Sequence, residues 1–203
     1  MKLLLSLAAA AAVWTASAQG TYQAIQSYTN EVATVVNGTA GGTFQPTGFI
    51  TVTELGCFDY LFSQNLGPIQ VGLWDANGTL LASNTVTSLS PLLDQSRYEP
   101  VTPVPLDPGI VYHLGAFSPN GSINLNVAAP SVGGGVVSAA VIQLLAAAAS
   151  TNSLFASPPA IPGTGGAFYL GPNFEFQDRV PEPSSLLLLG LAGLLVAARK
   201  RGS

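Results

Sequence analysis

The chain has little of the chemistry that catalytic and metal sites most often use. Its 203 residues include one cysteine, Cys57, and one histidine, His113. A lone cysteine cannot form an intramolecular disulfide, so the hydrophobic core must hold the fold. One cysteine and one histidine also fall short of the three or four ligands that a zinc site needs. The serines lie outside any Gly-x-Ser-x-Gly sequence, which marks many serine hydrolases. We therefore predict no catalytic residue, no metal site and no cofactor.

The few residues with special chemistry are predicted to be structural. Cys57 is expected to be a small buried hydrophobe in or just after a strand, with a reactive thiol or an intermolecular disulfide as the alternative. His113 is expected to be a hydrogen-bonded strand residue rather than a ligand or a base. Trp74 is expected to fill the core between two sheets rather than to form a sugar-binding platform.

Positive charge is also scarce between the two ends of the chain. No lysine occurs between Lys2 and Lys200, and residues 19–179 contain two arginines against nine acidic residues, a net charge of −7. Nucleic-acid binding requires lysines and arginines that neutralise phosphates. The composition therefore predicts that the protein has no nucleic-acid partner.

The first 18 residues are typical of a cleaved secretory signal. Lys2 supplies a positive start, residues 3–14 are apolar, and Ala16 and Ala18 provide the small residues that signal peptidase needs before Gln19. Twelve apolar residues span only about 18 Å as a helix, less than the roughly 30 Å of a bilayer core. We predict an N-terminal signal helix that engages the Sec machinery and signal peptidase. An uncleaved anchor or a buried N-terminal helix is the alternative.

The body between residues 19 and 179 has the pattern of an all-β domain. Residues 49–55, 69–74 and 79–86 are rich in strand-forming residues, and Asn77-Gly78 predicts a tight hairpin between the last two. A second hairpin is predicted from residues 110–117 to residues 122–127, through a turn that contains Pro119, Asn120 and Gly121.

The rest of the body is less uniform. Residues 136–150 are alanine-rich and allow either a helix or a pair of strands, and we predict a short helix over one sheet face. Residues 171–176 are predicted to form the closing strand. Fifteen prolines and 22 glycines separate the short segments, which is typical of a sandwich or a barrel. The predicted fold is an antiparallel β-sandwich, jelly-roll-like.

The C-terminal segment, residues 180–203, has a three-part order. Val180, Pro181, Glu182 and Pro183 come first, an apolar run follows, and Arg199, Lys200 and Arg201 form a cationic end. The apolar run is predicted to be a single transmembrane helix of Leu186, Leu187, Leu188, Leu189, Gly190, Leu191, Ala192, Gly193, Leu194, Leu195, Val196, Ala197 and Ala198. Thirteen residues span about 20 Å, so the bilayer must thin around them. The positive-inside rule keeps the cationic end in the cytoplasm.

This order resembles the PEP-CTERM sorting tail of exported proteins from exopolysaccharide-producing Gram-negative bacteria. The resemblance implies that an exosortase recognises Pro181, Glu182 and Pro183 and removes the tail. The protein would then be held at the inner membrane for a time and later reach the cell surface or the medium. A permanent short anchor without processing is the alternative.

The body resembles a second family. Residues 52–59, 71–81, 106–112 and 171–174 look like a β-sandwich domain of unknown function, similar to the DUF4082 type, that often precedes such a tail. The likeness covers residues 42–177. These motifs are core strands and turns, so the resemblance implies a fold rather than an activity.

Three hypotheses remain for the function of the body. The first is a non-enzymatic surface or extracellular-matrix protein associated with exopolysaccharide or biofilm. The second is a carbohydrate-active hydrolase or a glycan-binding module that uses carboxylates; the candidates are Glu54, Asp59, Asp75 and Asp107. The third is ice binding through the threonines of residues 51–53 and 85–87. The oxygen-rich segment 75–79 also has some likeness to a calcium loop, but a hairpin turn explains it better.

Overall fold

The computed structural model describes residues 20–28, 32–36, 38–59, 67–119, 123–128, 136–150, 154–165 and 168–179. The regular elements of this part of the chain are all β-strands. They are β1 (Thr21–Gln23), β2 (Ile25–Tyr28), β3 (Val32–Val36), β4 (Ala40–Pro46), β5 (Ile50–Phe58), β6 (Ile69–Asp75), β7 (Leu80–Val86), β8 (Leu92–Leu93), β9 (Ser96–Leu106), β10 (Tyr112–Phe117), β11 (Ile123–Ala128), β12 (Val136–Ser138), β13 (Ile142–Ala149), β14 (Ala160–Gly165), β15 (Phe168–Leu170) and β16 (Pro172–Asp178).

The strands form two large sheets and two small ones, and every pair described is antiparallel. The five-stranded sheet has the order β1-β16-β5-β9-β8, and the six-stranded sheet has the order β14-β13-β4-β10-β6-β7. The small sheets are β15-β11-β3 and β12-β2. The prediction of an all-β, antiparallel, sandwich-like fold is confirmed.

The core lies between the two large sheets. Phe44 on β4 of the six-stranded sheet meets Phe174 on β16 of the five-stranded sheet, with ring centroids 5.0 Å apart. Val52 and Leu55 from one sheet and Leu73 from the other are completely buried in the same cluster. Burying one such side chain contributes about 1.5–3 kcal/mol, so this apolar layer holds the sheets together without a disulfide. Trp74 is also buried, but the prediction that it fills the space between the two sheets is wrong. It lies on the other face of β6, next to Gly72, and its ring packs against Phe155.

The hairpin predicted from Asn77-Gly78 is confirmed. β6 and β7 pair directly along residues 69–86. Gly78 has a φ of 81°, a left-handed conformation that glycine adopts without strain. The Asp75 carboxylate Oδ1 accepts hydrogen bonds from the backbone N–H groups of Asn77, at 2.9 Å, and Thr79, at 2.8 Å. This turn accounts for the oxygen-rich segment that has some likeness to a calcium loop.

The second predicted hairpin is wrong. β10 lies between β4 and β6 in the six-stranded sheet, so both of its edges are occupied. β11 instead pairs with β3 and β15 in a small sheet. The Pro and Asn-Gly signals predicted a return within one sheet, whereas β10 and β11 belong to different sheets.

The predicted helix over residues 136–150 is also wrong. β12 and β13 occupy this segment, and β13 pairs with β4 on one side and with β14 on the other. Ala147 and Ala148 lie opposite Gly42 and Gly41, and both alanines are buried. Alanine favours a helix by less than about 1 kcal/mol per residue, and burial between two partner strands outweighs that preference.

The closing strand is confirmed as β16, which lies inside the five-stranded sheet between β1 and β5. Its neighbour β5 continues through Gly56, a residue with no side chain to pack, to Phe58. Gly56 is nevertheless needed for space. A Cβ atom there would lie 2.4 Å from the ring of Tyr98.

The five-stranded sheet curls so that its two edges approach each other. Gln23 on the edge strand β1 donates a hydrogen bond from Nε2 to Oδ2 of Asp94, which follows the opposite edge strand β8. The distance between these two atoms is 2.8 Å. Asp94 adopts a left-handed backbone conformation, with a φ of 51°, which aspartate tolerates better than most residues.

The two ends of the chain lie outside the described residues. The predicted signal helix with its cleavage residues Ala16 and Ala18, and the predicted transmembrane helix of residues 186–198, therefore stay predictions. In the ranges that the structure describes, no helix combines the length and the apolar character needed to cross a bilayer.

Candidate functional site at the end of the folded body

Three strand ends meet at the point where the chain leaves the folded body. β16 ends at Asp178, which lies opposite Ile50 at the start of β5. Ile50 in turn lies opposite Leu106, the last residue of β9. The residues just beyond these ends, Phe49, Asp107 and Arg179, are therefore neighbours although they are far apart in the sequence.

Arg179 is held by both of these neighbours, and we call the three residues the Arg179 clasp. Its backbone N–H donates to the carbonyl oxygen of Phe49 at 2.8 Å. Its guanidinium Nη2 donates to Oδ1 of Asp107 at 2.7 Å, and its Cζ lies 5.0 Å from the ring centroid of Phe49.

The contacts of the clasp fix the position of Arg179, but they are weak enough for its side chain to separate from Asp107 and Phe49. An exposed ion pair contributes about 0.2–1 kcal/mol, and a cation–π contact at an exposed site contributes about 0.5–1 kcal/mol. Arg179 and Asp107 are both partly exposed.

Pro181 follows Arg179 two residues later in the sequence, and a chain spans at most about 3.6 Å per residue. The covalent chain thus keeps Pro181 within about 7 Å of Arg179.

A family model for the PEP-CTERM protein-sorting motif matches residues 179–201. The chain carries a PEP-CTERM sorting motif. This motif implies an exported protein that is processed at its C-terminus by an exosortase and sorted to the cell surface. The match begins at Arg179, so the residue that ends the described body is also the first residue of the motif. No curated protein matches the chain.

The residues predicted to carry the sorting function follow Arg179 directly. Val180, Pro181, Glu182 and Pro183, the apolar residues 186–198 and the cations Arg199, Lys200 and Arg201 all lie outside the described residues. The motif match covers all of these positions, while their roles as recognition sequence, membrane helix and cytoplasmic stop stay predictions.

The four candidate carboxylates are not brought together. Asp59 forms an ion pair with Nε of Arg97, Asp75 stabilises the hairpin turn, and Asp107 belongs to the Arg179 clasp. The hydrogen bonds that Asp75 accepts from the backbone N–H groups of Thr79 and Asn77 lower the pKa of its carboxyl group. Only Glu54 faces a second carboxylate.

That second carboxylate is Glu175, which the sequence analysis missed. Glu54 and Glu175 lie directly opposite each other on β5 and β16. The register of β5 shifts at Thr53 in both of its ladders, and such a bulge moves the following side chains to the other face. Leu55 therefore lies in the core, and Glu54 lies on the opposite face of the strand. The sequence signal that could have identified Glu175 is the alternation of Asn173, Glu175 and Gln177 with two phenylalanines, which predicts a polar face on this strand.

Burial and mutual repulsion disfavour the charged forms of this pair. Glu175 is only 7% exposed, and burial raises the pKa of its carboxyl group, with the charge of Glu54 raising it further. Burial also raises the pKa of Glu54, and the nearby Glu99 adds to that effect. Each of the two carboxyl groups therefore stays protonated to a higher pH than an exposed glutamate does.

Cys57 and His113 have structural environments, as predicted. Cys57 is completely buried with a free thiol, and burial raises the pKa of that thiol far above its ordinary value. The ring nitrogen Nδ1 of His113 lies 2.8 Å from the carbonyl oxygen of Pro158, and a carbonyl can only accept, so Nδ1 donates. Among the described residues, no group of three or more His, Cys, Asp or Glu side chains could hold a metal ion.

Proposed function

We propose that this protein is a non-enzymatic component of the cell surface or extracellular matrix, associated with exopolysaccharide or biofilm. Signal peptidase cuts after Ala18, and residues 186–198 then tether the protein to the inner membrane. An exosortase recognises Pro181, Glu182 and Pro183 and removes the tail. The observation that carries this proposal is the sorting motif at residues 179–201, which begins where the folded β-sheet body ends.

The position of Arg179 supports processing of a folded body. The two prolines that follow it in the sequence predict an extended, non-helical segment, a backbone shape that peptide-cleaving enzymes bind. A simple anchor has no need of a proline-acid-proline sequence. The resemblance of the body to a DUF4082-type domain stays a prediction that is consistent with the all-β fold.

The mass of the protein purified from its host tests the sorting proposal. We expect a mass that lacks residues 186–203 in cells with an exosortase, and the full tail in cells from which the exosortase gene is deleted. Replacing Pro181, Glu182 and Pro183 by alanine should also preserve the tail. A matched control is the replacement of Pro103 and Pro105 by alanine, because these two prolines lie on β9. A mature protein that keeps residues 186–203 in exosortase-positive cells would contradict the proposal.

The matrix role has its own test. We expect the processed body to remain with the exopolysaccharide fraction of wild-type cells and to move to the medium in cells that make no polysaccharide. An equal distribution in the two strains would leave the protein exported and processed but not associated with the matrix.

A second candidate, glycoside hydrolysis, rests on Glu54 and Glu175. The two residues are cross-strand partners, and a pair of neighbouring carboxyl groups is what glycoside hydrolysis requires. Against it, Glu175 is almost completely buried. If the pair is catalytic, Glu54→Gln and Glu175→Gln abolish turnover of soluble glycans, whereas Asp75→Asn leaves it unchanged. Absence of turnover by the wild-type protein removes this candidate.

The ice-binding alternative has no supporting observation. The threonines of residues 51–53 lie on β5 of the five-stranded sheet, and Thr85 lies on β7 of the six-stranded sheet. Ice binding needs one regular array of threonines, and these two segments belong to different sheets.

A further inference from the structure

A shallow groove runs along both sides of Tyr22 on β1. On one side, a cavity of about 290 Å³ is bounded by Ala139, Val141, Phe176 and Asp178. On the other side, a cavity of about 370 Å³ is bounded by Thr21, Gln23, Leu93 and Asp94. Tyr22 and Gln26 line both cavities. We call the two cavities together the Tyr22 groove. Each has a volume near the lower end of ordinary ligand sites, which is roughly 300 Å³.

The Tyr22 ring is held in place and still accessible. It packs against the buried ring of Phe176, with centroids 5.7 Å apart, while 44% of Tyr22 remains exposed. A supported, half-exposed tyrosine presents an apolar ring together with a hydroxyl group. Such a surface suits a ligand that has both C–H faces and hydroxyl groups.

The polar groups of the groove are arranged in advance. The hydrogen bond from Gln23 to Asp94 fixes an amide and a carboxylate across the meeting edges of the five-stranded sheet. Gln26 is exposed between the two cavities. An amide side chain both donates and accepts, and a carboxylate accepts from several donors. Together these groups match a ligand with many hydroxyl groups.

The charge of the groove decides which ligands of this kind fit. Among the described residues that line the two cavities there is no lysine, arginine or histidine, and the charged ones are Asp94 and Asp178. The two arginines of the described body are engaged elsewhere, with Asp59 and Asp107. Phosphate, sulfate and uronate groups would therefore be repelled without any compensating cation.

We propose that the Tyr22 groove binds a neutral oligosaccharide segment. A sugar ring stacks its C–H face on Tyr22, and its hydroxyl groups donate to Asp94 and Asp178 and exchange hydrogen bonds with Gln26. The proposal rests on the proposed association with polysaccharide, and it specifies that the recognised part of the polymer is uncharged.

Calorimetric titration of the full-length chain in mild detergent tests this. The probes are hexasaccharides of β-1,4-glucose, β-1,3-glucose, α-1,4-glucose and β-1,4-mannose, with an oligoguluronate as the acidic comparison. We expect measurable binding of at least one neutral probe and none of the oligoguluronate. Tyr22→Ala should weaken binding about tenfold or more, which corresponds to about 1.4 kcal/mol, whereas Tyr22→Phe should stay within about threefold of the wild type.

Leu80→Ala is the matched control, because Leu80 has a similar exposure, 46%, on the distant strand β7. It should leave binding unchanged. Equal thermal melting of all variants establishes that each is folded. The proposal is overturned if no neutral probe binds, if only the acidic probe binds, or if Tyr22→Ala binds as tightly as Leu80→Ala. If the protein loses its tail normally in the host but binds no neutral probe, the proposed sorting function stands and only the proposed role of the Tyr22 groove is wrong.

Discussion

Replacing Asn173 by alanine should be among the most damaging single changes in the body. Asn173 is completely buried on β16. Its Oδ1 accepts from the backbone N–H of Ile25 at 3.0 Å, and its Nδ2 donates to the carbonyl oxygen of Ile25 at 2.9 Å. The same Nδ2 lies 2.7 Å from the hydroxyl oxygen of Tyr98. One side chain thus holds the backbone of the N-terminal segment against the five-stranded sheet.

The size of the effect follows from the groups that would lose their partner. Asn173→Ala leaves the N–H and the carbonyl of Ile25 buried without this partner, and each such group costs about 1–3 kcal/mol. The expected decrease in the free energy of unfolding is therefore about 2–6 kcal/mol, a large part of the roughly 5–15 kcal/mol of a typical domain. At an m value of about 2 kcal/mol/M, the urea midpoint should fall by roughly 1–3 M.

Urea unfolding followed by the fluorescence of the buried Trp74 measures this change. Asn84→Ala is the matched control, because the hydrogen bonds of the Asn84 side chain are exposed and water can replace them. Its Nδ2 donates to the carbonyl oxygen of Pro100 at 2.8 Å, and its Oδ1 accepts from the backbone N–H of Thr85 at 2.7 Å. This substitution should cost no more than about 1 kcal/mol. Amide hydrogen exchange should accelerate most in residues 21–28 of the Asn173→Ala variant. If both variants lose the same stability, the reasoning about the orphaned Ile25 backbone is wrong.

Three further predictions concern the clasp, the glutamate pair and a close sheet contact. Asp107→Asn should raise the open population of the Arg179 clasp about fivefold, for a loss near 1 kcal/mol; pulse-chase labelling should then show faster tail removal than in Asp59→Asn, and equal rates would contradict this. Glu175→Gln should stabilise the protein at pH 7. The pKa of Glu175 is raised above 4.5 in the folded protein, so the wild type loses stability as the pH rises from 4.5 through the folded-state pKa, and glutamine does not ionise. Urea titrations should show this gain disappearing near pH 4, and a gain that persists there would refute it. Gly42→Ala should cost about 1–3 kcal/mol, because its Cβ would lie 2.1 Å from a phenylalanine ring of β15; Gly48→Ala, with its nearest atom at 3.9 Å, should melt like the wild type.

The sequence predicts features that depend on neighbours in the chain. The turn at residues 75–79 forms because Asp75 and Gly78 each satisfy a local requirement, so its strands pair as expected. The turn signals at residues 118–121 are equally strong. They cannot show that β10 is already enclosed by β4, which lies about 70 residues earlier in the chain.

The candidate site depends on long-range register and was out of reach of the sequence. The Arg179 clasp joins positions 49, 107 and 179, and it exists only because β16, β5 and β9 end at the same edge. The facing of Glu54 and Glu175 likewise requires the bulge at Thr53. The sorting motif, in contrast, is a continuous segment, so the sequence alone revealed it.

The distribution of charge predicts the direction in which the body moves after tail removal, which is away from the membrane. Residues 19–179 contain two arginines against nine acidic residues, and the cations that follow them in the sequence are Arg199, Lys200 and Arg201. Both arginines of the body are already paired with carboxylates. Anionic lipid headgroups attract clustered lysines and arginines and repel acidic surfaces. After tail removal, both arginines of the body are still paired with carboxylates, so we expect anionic headgroups to repel the acidic body. A mature body that stays bound to anionic vesicles at physiological salt after tail removal would contradict this direction.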